Sequence, residues 1–360
     1  MGAGKGKLSI VAFDLARTGG TRVLVEIADG LIARGHEVTF VIPAGAARGF
    51  ATAAPVLEVG PGWLARLSRG KNLASLPFLA RQWANADAVL ATYYPTALAV
   101  WWRTRFSPGR RGYYFIQGYE PWFAEGKLAP VKGWVARATY RLPLRCLVNS
   151  RWLGDLAVPG GPAGYDLVTP GVDTAVFHPT RSDRAEPPLM IGAIARRGWV
   201  KGFDTLVDAL ALLWSRRQDF RVLLAMPEPI PFSLAAPCDL VRPQSDAEMC
   251  AFYHRLSVFA FSSRAEGFGL PPLEAMACGV PVITTDCGGV REFAAPGGNS
   301  LVVPPGDPAA LAEGLDQLLS NQEMRRQFAA AGLETARQFT WGRTVDAAER
   351  ALFGESGRAP

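Results

Sequence analysis

The stretch E-G-F-G-L-P-P-L-E-A-M-A-C-G-V-P-V-I-T-T-D, residues 266–286, determines more about this chain than any other part of its sequence. An apolar run at residues 256–262 predicts a buried strand before it, and residues 273–278 predict a short helix within it. Pro271 and Pro272 stand where such a helix begins, because the first helical amides lack partners inside the helix. Free amides at a helix N-terminus attract anions. The segment therefore predicts a ligand site at the carboxyl end of a parallel strand.

Two carboxylates flank the turn in this stretch. Glu266 precedes the glycines, and Glu274 follows eight residues later in the first turns of the predicted helix. Gly267 and Gly269 allow the backbone to approach a ligand closely. Both acids can face one site, where one carboxylate accepts hydrogen bonds from sugar hydroxyls and the other from a ribose. An ordinary strand and helix with a capping glutamate is the alternative, although a cap requires neither the second acid nor the Gly and Pro run.

The whole stretch resembles the E-x7-E segment of retaining GT-B glycosyltransferases, the group known as family 4, group 1. The elements G-F-G-L-P, A-M-A-C-G-V-P-V-I and D-C-G-G-V-R-E all match that family's pattern. The resemblance implies an α/β protein of the GT-B fold, in which two Rossmann-like domains with parallel sheets face a central cleft. It also implies that Glu266 contacts the donor sugar and Glu274 the ribose. The remaining donor-binding residues that it implies are Gly267, Phe268, Gly269 and Leu270.

Composition agrees with an α/β enzyme of two medium-sized domains. The chain has 360 residues, of which 49% are hydrophobic and 19% charged. The longest apolar run, residues 89–102, is too short for a membrane span, and the apolar region near the start is too short for a secretory signal. The expected location is therefore the cytoplasm. Five scattered cysteines without a C-x-x-C pair argue against both a disulfide framework and a zinc site, and favour buried free thiols.

Positive charge is concentrated in the first half of the chain. Residues 1–180 contain 20 Lys and Arg against 11 Asp and Glu, whereas the remainder contains 18 against 21. The basic residues are interleaved with aromatics at residues 101–111 and 132–145. A third basic group consists of Arg66, Arg69 and Lys71. These clusters predict contact with an anionic membrane surface, peripherally on its inner face, or with a lipid-diphosphate acceptor; a solvated basic face is the alternative. No nucleic-acid-binding module is recognised, so nucleic acid is not an expected partner.

Alternating strand and helix patterns predict two Rossmann-like domains. Residues 1–180 form the predicted acceptor-side domain, and residues 181–340 the nucleotide-sugar-binding domain. A charged, proline-bearing stretch at residues 181–188 predicts the linker between them. The predicted strands fall at residues 8–14, 37–42, 56–59, 88–92, 112–117, 145–149, 167–169, 189–195, 221–225, 258–262 and 281–284. The resemblance further implies that residues 341–360 contain a C-terminal helix that crosses back to the first domain.

Arg196 and Lys201 form a second constellation, just after the predicted strand at residues 189–195. The segment A-R-R-G-W-V-K-G resembles the family's G-R-x4-K-G motif, with Ala195 in place of the usual glycine. An arginine can bind two phosphate oxygens at once and a lysine acts as a point charge, so the pair suits a diphosphate. No D-x-D occurs in the sequence. These cations are therefore expected to stabilise the leaving diphosphate without a metal ion, and no cofactor is expected.

The first domain supplies further candidates. Gly19 and Gly20 follow the first predicted strand, where the family's first loop faces the donor. They lack the G-x-G-x-x-G spacing of a dinucleotide site. Gln117 stands where many family members carry a histidine, and I-Q-G-Y-E-P resembles a branch that includes rhamnosyltransferases. On the acceptor side, Gln117, Tyr119 and Glu120 can bind hydroxyl groups, and Glu120 can take the acceptor proton. A strand end with a satisfied polar cap is the alternative.

The sequence thus predicts a retaining, metal-independent glycosyltransferase. It would transfer a hexose or deoxyhexose from a nucleoside-diphosphate sugar to a glycan or lipid-linked acceptor, in surface polysaccharide or glycolipid assembly. The predicted catalytic residues are Glu266, Arg196 and Lys201. A GT-B nucleotide-sugar epimerase and a non-catalytic nucleotide- or glycan-binding protein are the alternatives. The sugar, the base, the acceptor and the oligomeric state stay open.

Overall fold

The structure is a computed structural model and describes residues 5–61, 76–80, 85–107, 109–124, 126–179 and 188–354. The chain divides into two compact units. The first comprises Met1–Pro170 with Trp341–Pro360, and the second comprises Gly171–Thr340. The division therefore falls at Pro170, whereas the sequence placed it after residue 180. Residues 181–187 of the predicted linker lie outside the described residues, as does the basic group Arg66, Arg69 and Lys71.

Thirteen strands are found in the described residues, and they form two parallel sheets. The first sheet has the order β3-β2-β1-β4-β5-β6-β7, and the second has the order β10-β9-β8-β11-β12-β13. The strands are β1 Lys7–Val11, β2 Glu37–Pro43, β3 Val56–Val59, β4 Ala88–Ala91, β5 Arg111–Ile116, β6 Arg145–Val148, β7 Tyr165–Leu167, β8 Leu189–Ile194, β9 Phe220–Ala225, β10 Cys238–Val241, β11 Val258–Phe261, β12 Val282–Thr285 and β13 Ser300–Val303. Every predicted strand is present, with ends displaced by at most a few residues.

Helices cover the faces of both sheets. They are α1 Gly19–Ala33, α2 Leu76–Leu79, α3 Tyr94–Arg105, α4 Ala129–Thr139, α5 Arg151–Ala157, α6 Phe203–Arg216, α7 Asp246–His254, α8 Leu270–Ala277, α9 Pro308–Ser320, α10 Gln322–Gln338 and α11 Trp341–Phe353. The C-terminal helix α11 packs on α1 and β7 within the first unit. Among the residues that the structure describes, no helix combines the length and the apolar character that a membrane crossing requires.

Two edge strands of the second sheet, β10 and β13, were not predicted from the sequence. Each has four residues, and most of them are only partly buried. Edge strands of this kind carry no continuous apolar run, so their local signal is weak. The central strands β8, β11 and β12 do carry such runs because helices bury both of their faces.

The core of the second unit consists of two apolar layers, one on each face of the sheet. On one face α6 and α9 pack together over β8, β9 and β12. On the other face α7, α8 and α10 cover Phe259 and Phe261 of β11. Met276, on α8, is buried in the same layer. The sheet is therefore held on both sides, and its carboxyl edge carries the loops that hold the predicted donor-site residues.

Candidate active site

The predicted donor residues lie where the strand order of the second sheet reverses. Strands β8 and β11 are adjacent and parallel, but the chain continues from them in opposite directions across the sheet. The loop after β8 carries Arg196 and Lys201, and the loop after β11 carries Glu266. In open α/β sheets the crevice outside such a reversal binds ligands.

Lys201 and Glu266 form an ion pair at this position. Lys201 Nζ lies 2.8 Å from Glu266 Oε1, and the two side chains are 25% and 17% exposed. Ser263 Oγ donates a second hydrogen bond to the same oxygen at 2.8 Å. In the part of the chain that the structure describes, no hydrogen bond to Glu266 Oε2 is found. The carboxylate is thus held in place through its Oε1 atom.

Backbone contacts bring the two loops together. The Arg264 amide donates to the Val200 carbonyl at 2.8 Å. Gly202, at φ +59°, lies so close to the β11 loop that a Cβ atom there would stand 2.0 Å from the Ser262 carbonyl oxygen. Glycine is therefore required at this position, both for the left-handed conformation and for the close approach.

Arg264 fixes the turn that carries Lys201. Its guanidinium group donates to the Trp199 carbonyl at 2.8 Å and makes two bonds to the Asp204 carboxylate, at 2.8 Å and 2.7 Å. It also lies over the Trp199 ring, 5.5 Å from the centroid. These hydrogen bonds hold the pKa of Asp204 below its usual value. Sequence reasoning missed Arg264, because nothing local connects it to a turn some 60 positions earlier.

Arg196 is a partly buried cation without a fixed partner. Among the described residues, no hydrogen bond or ion pair of its side chain is found. Its charge nevertheless acts on Tyr253, whose phenol pKa it lowers while burial and Glu274 raise that pKa to a larger extent. Arg196 therefore acts electrostatically on Tyr253, the residue that bonds to the second acid of the motif.

Glu274 is oriented by a buried phenol. Tyr253, on α7, is fully buried, and its hydroxyl group donates to Glu274 Oε2 at 2.9 Å. Burial raises the pKa of Tyr253 well above its usual value, so the phenol keeps its proton and remains a donor. Tyr253 is a second positioning residue that the sequence did not reveal, since it lies on a different helix from Glu274.

The glycine turn of the motif is a close backbone crossing. A Cβ atom on Gly289 would stand 2.4 Å from Gly267 C, and the Gly289 amide donates to the Glu266 carbonyl at 3.0 Å. Gly269 adopts φ +103° as the residue before α8. Helix α8 therefore begins at Leu270, three residues before the predicted start, because its first turn accommodates both prolines.

Phe268 belongs to the core and not to the ligand surface. It is 3% exposed, and its ring packs against Phe293 at 5.3 Å and Phe339 at 5.9 Å between centroids. Its side chain is thus not exposed to a ligand, and the predicted donor-binding role of Phe268 stays a prediction. Leu270, by contrast, is partly exposed at the start of α8.

The neighbouring thiol is inert. Cys287, after β12, is 1% exposed, and burial together with the Glu266 carboxylate raises its pKa well above the usual value of a cysteine. A thiol with a raised pKa is a poor nucleophile at neutral pH. Cys287 is therefore not a candidate nucleophile at this edge of the sheet.

In the first unit, the glycine turn and Gln117 are brought together. Gly19 and Gly20 form the start of α1, and the preceding Thr18 caps the helix by accepting from the Thr21 amide at 3.2 Å. Gln117, directly after β5, donates from Nε2 to the Gly20 carbonyl at 3.2 Å. The Gly19–Gly20 turn and Gln117, which were predicted from separate parts of the sequence, thus lie together in the structure.

Two amide side chains beside this turn keep buried acceptors unpaired. Asn149 follows β6, next to β5, and donates to the Gln117 carbonyl at 3.1 Å. Within the described residues, Gln117 Oε1 and Asn149 Oδ1 are buried and have no hydrogen-bond partner. Buried acceptors without partners are rare in proteins, and they commonly indicate where a ligand or water donates.

Glu120 lies in the interior, which differs from the predicted contact with an acceptor. It is 6% exposed, and its carboxylate accepts from the Tyr94 amide and the Tyr114 hydroxyl, both at 2.7 Å. The Tyr140 hydroxyl accepts a hydrogen bond from the Glu120 amide at 2.9 Å. Glu120 therefore joins the start of α3 to β5 as a buried structural acid. Tyr119 is also buried, and its ring packs against Tyr140.

Two family models match the chain. "Glycosyltransferase Family 4" matches residues 17–176, and "Glycosyl transferases group 1" matches residues 233–335. The second match contains Glu266 and Glu274, and the first contains Gly19, Gly20 and Gln117. The resemblance drawn from the motifs is thereby confirmed.

Curated relatives of known name are glycosyltransferases. The D-inositol 3-phosphate glycosyltransferase of Jonesia denitrificans is 33% identical over 211 residues, which is 51% of this chain and 50% of that protein. An uncharacterised glycosyltransferase of Methanocaldococcus jannaschii is 29% identical over 160 residues, 44% of this chain and 45% of that protein. The chain thus spans about half the length of the curated relatives it matches.

Solved structures share the fold over nearly the whole chain. Sucrose-phosphate synthase from Thermosynechococcus elongatus has a TM-score of 0.80 at 19% identity, and the match covers 97% of this chain and 98% of the synthase chain. Anabaena HepE in complex with UDP-glucose has a TM-score of 0.72 at 18% identity, and the match covers 96% of this chain and 98% of HepE. WaaG, involved in lipopolysaccharide biosynthesis, has a TM-score of 0.75 at 16% identity, and the match covers 96% of this chain and 100% of WaaG.

The architecture is that of the GT-B glycosyltransferases. Within that class, this chain contains a family 4 glycosyltransferase domain followed by a group 1 glycosyl transferase domain.

Proposed function

We propose that this protein is a retaining glycosyltransferase that uses a nucleoside-diphosphate sugar and needs no metal ion for the transfer. The observation that carries the proposal is the pairing of Lys201 with Glu266 at the reversal of the second sheet, with Arg196 on the same loop as Lys201. Two cations and two acids at one edge match the two kinds of group in the donor: a diphosphate and hydroxylated sugars.

In this mechanism the cations receive the leaving group. When the bond between the anomeric carbon and the diphosphate breaks, negative charge grows on the phosphate oxygens. Arg196 and Lys201 stabilise that charge, and fixed groups do so without reorganising at the moment of reaction. A hydroxyl of the acceptor then attacks the anomeric carbon on the face that the diphosphate leaves, and the hydroxyl proton passes to an oxygen of the departing diphosphate. Glu266 binds the sugar hydroxyls and Glu274, oriented by Tyr253, binds the ribose.

UDP-linked sugars are the first donors to test. The curated relatives are glycosyltransferases, and HepE is a protein of this fold whose structure contains UDP-glucose. A glycan or lipid-linked acceptor in surface polysaccharide or glycolipid assembly is the proposed partner, and WaaG provides a fold-level parallel. On the acceptor side, the unpaired oxygens of Gln117 and Asn149 support hydroxyl binding beside the Gly19–Gly20 turn.

A peripheral position on an anionic membrane is part of the proposal. Helices α3 and α4 pack side by side, and α4 is preceded by a loop that carries Lys127. Large apolar side chains are exposed on this surface: Trp102, Phe106, Leu128, Val131 and Trp134. Exposed cations lie among them: Arg105, Lys127, Lys132 and Arg137. Aromatic and basic side chains interleaved in this way favour the interface of an anionic bilayer. A cytoplasmic location stays a prediction.

Turnover and nucleotide binding provide the test. We expect release of the nucleoside diphosphate from one donor in a panel of nucleotide sugars, with the sugar on an acceptor or, more slowly, on water. We expect Glu266→Gln and Lys201→Ala each to lower turnover by roughly 100-fold, as loss of one preorganised electrostatic contact does in other enzymes. Lys201→Ala should also weaken binding of the free diphosphate, since it removes a phosphate contact.

Matched controls separate chemistry from folding. Lys7 and Glu37 form an exposed ion pair of similar length, 2.9 Å, so Lys7→Ala should leave turnover unchanged. Chelation with EDTA should leave turnover unchanged at a temperature well below melting. Unaltered rates in both site variants, or an absolute requirement for added metal, would sink the assignment. An epimerised nucleotide sugar without acceptor would indicate the epimerase, and binding without turnover of any donor would indicate the non-catalytic alternative.

A further inference from the structure

Two thiols and an imidazole from distant parts of the sequence meet in the second unit. Cys250 and His254 lie one turn apart on α7, and Cys278 directly follows α8. Cys250 Sγ lies 3.3 Å from His254 Nε2 and 3.8 Å from Cys278 Sγ. The three atoms all lie within 4.8 Å of one another. None of these side chains has a part in the donor chemistry described above.

Two of the three distances between these atoms fit a tetrahedral metal ion. With zinc–sulfur and zinc–nitrogen bonds of about 2.3 Å and about 2.05 Å, tetrahedral angles place two sulfurs about 3.8 Å apart and a sulfur and a nitrogen about 3.5 Å apart. The observed 3.8 Å and 3.3 Å are close to both values. A disulfide needs sulfurs about 2.05 Å apart, so the two thiols are not bonded to each other.

The two thiols are buried, whereas the imidazole lies at the surface. Cys250 and Cys278 are 5% and 0% exposed. His254 is partly exposed and lies beside the exposed His178, so its imidazole links the buried thiols to the protein surface. The His178 carbonyl oxygen lies 2.6 Å from His254 Nε2, close enough to approach the same ion as an oxygen ligand.

We propose that Cys250, His254 and Cys278 bind a thiophilic divalent cation of the Zn²⁺ type. Binding releases two protons, one from each thiol, because thiolates are the ligands. His254 binds through unprotonated Nε2, so the ring proton moves to Nδ1 and the hydrogen bond to His178 is exchanged for the metal bond. No oxidation or reduction takes place.

The bound ion would fasten α7 to the end of α8. Cys278 donates its amide to the Glu274 carbonyl at 3.0 Å, and Tyr253, between the two α7 ligands, bonds to the Glu274 carboxylate. The ion therefore acts as a structural clasp behind the donor-site acid and takes no part in the transfer. Its presence does not depend on the proposed sugar transfer, and its test reads metal binding alone.

The test uses the full-length protein, reduced and stripped with a chelator. Titration with Zn²⁺ should show one equivalent bound and a raised melting temperature, since a ligand of the folded state alone stabilises it. Titration with Co²⁺ should produce the near-ultraviolet charge-transfer absorption of cobalt thiolates, at an intensity that corresponds to two thiolate ligands. The cobalt spectrum is read on the wild-type protein, so it does not depend on any variant folding.

Variants then assign the ligands. We expect Cys250→Ser and His254→Gln each to weaken Zn²⁺ binding at least roughly 10-fold. Even residues that only hydrogen-bond to the ligands of a metal ion change its affinity by about that factor. Cys146→Ser removes another buried thiol, in the first unit, and should leave binding unchanged. Absence of the cobalt–thiolate absorption in the wild type overturns the proposal. So does Zn²⁺ affinity that is unaltered in the double variant Cys250→Ser, Cys278→Ala, or a Cys250–Cys278 disulfide in freshly purified, metal-free protein.

Discussion

Lys201 and Glu266 are separated by 65 positions in the chain, yet their side chains meet at 2.8 Å. Without a ligand, the lysine and the acid neutralise each other. A diphosphate would compete for the lysine, and a sugar hydroxyl would bind the acid through its other oxygen. Because the turn at residues 198–202 carries Lys201, the position of the lysine relative to Glu266 depends on how firmly this turn is held.

Arg264 is the residue that holds this turn, and its loss should alter donor affinity more than catalysis. We expect Arg264→Gln to raise the Kd for the nucleoside diphosphate roughly tenfold, or about 1.4 kcal/mol. It removes both bonds to Asp204 and the bond to the Trp199 carbonyl. Calorimetric titration with the diphosphate measures the Kd, and steady-state kinetics shows whether KM rises more than kcat falls.

An exposed ion pair supplies the control for Arg264. Arg337 bonds to Glu334 at 3.1 Å with both side chains 68% exposed, so Arg337→Gln should leave the Kd unchanged. If Arg264→Gln bound the diphosphate as tightly as the wild type, the turn would be held by its backbone alone.

At the scale of elements, the C-terminal helix α11 is fitted to α1 through a glycine. A Cβ atom on Gly30 would stand 2.3 Å from Val345 Cγ2. Valine has little rotational freedom at χ1, and Val345 is 4% exposed, so it cannot swing aside. We expect Gly30→Ala to lower the free energy of unfolding by ~1–2 kcal/mol, because overpacking outweighs the gain in helix propensity.

Gly133 is the matched control for this substitution. It also lies inside a helix, α4, but a Cβ atom there meets nothing closer than 3.6 Å. Gly133→Ala should therefore leave stability unchanged or raise it by up to ~1 kcal/mol. Denaturant titration of both variants measures the difference, and equal effects would show that the α1–α11 packing is loose.

The same helix contact should depend on pH through Glu349. Burial raises the pKa of this carboxyl group. Hydrogen bonds from His36 and Arg34 together lower the pKa by more than burial raises it, so the pKa lies below the usual value. A lowered pKa stabilises the folded state above the unfolded pKa, about 4.3 for a glutamate. That stability is lost as the pH falls through the folded-state value.

The pH dependence can be isolated with Glu349→Gln. We expect this variant to be less stable than the wild type at pH 7, and the difference to shrink as the pH is lowered through the acid range. Glu334→Gln, at an exposed position, should show no such convergence. A stability difference that stays constant with pH would exclude Glu349 as the titrating group.

For the whole molecule, the uneven charge is the property with the clearest consequence. The basic first half contains the exposed apolar and basic surface of α3 and α4, so we expect the protein to sediment with vesicles of anionic lipid and not with neutral ones. Trp102→Ala combined with Trp134→Ala should reduce binding about tenfold or more, since each buried aromatic ring contributes roughly 1–3 kcal/mol. High salt should also weaken it.

Trp214 provides the control for the vesicle experiment. It packs against Phe220 in the core of the second unit, at 5.3 Å between ring centroids. Conservative Trp214→Phe should leave vesicle binding unchanged. Equal binding to neutral and anionic vesicles, or no effect of the double substitution, would refute the proposed surface.

The sequence by itself determined the parallel α/β architecture and the resemblance to glycosyltransferases, and it supplied the candidate donor-side residues, whose roles stay predictions. Continuous apolar runs identify buried central strands, and the acids, glycines, prolines and cations of the two motifs are local patterns that can be read in order. Only tertiary structure decided which side chains meet. It paired Lys201 with Glu266, and it placed Glu120 in the interior and Phe268 in the core. It also brought the side chains of Cys250, His254 and Cys278 together, which their spacing in the sequence does not predict. The physical reason is that burial and contact between distant segments depend on how sheets and helices pack, and no local pattern records that packing.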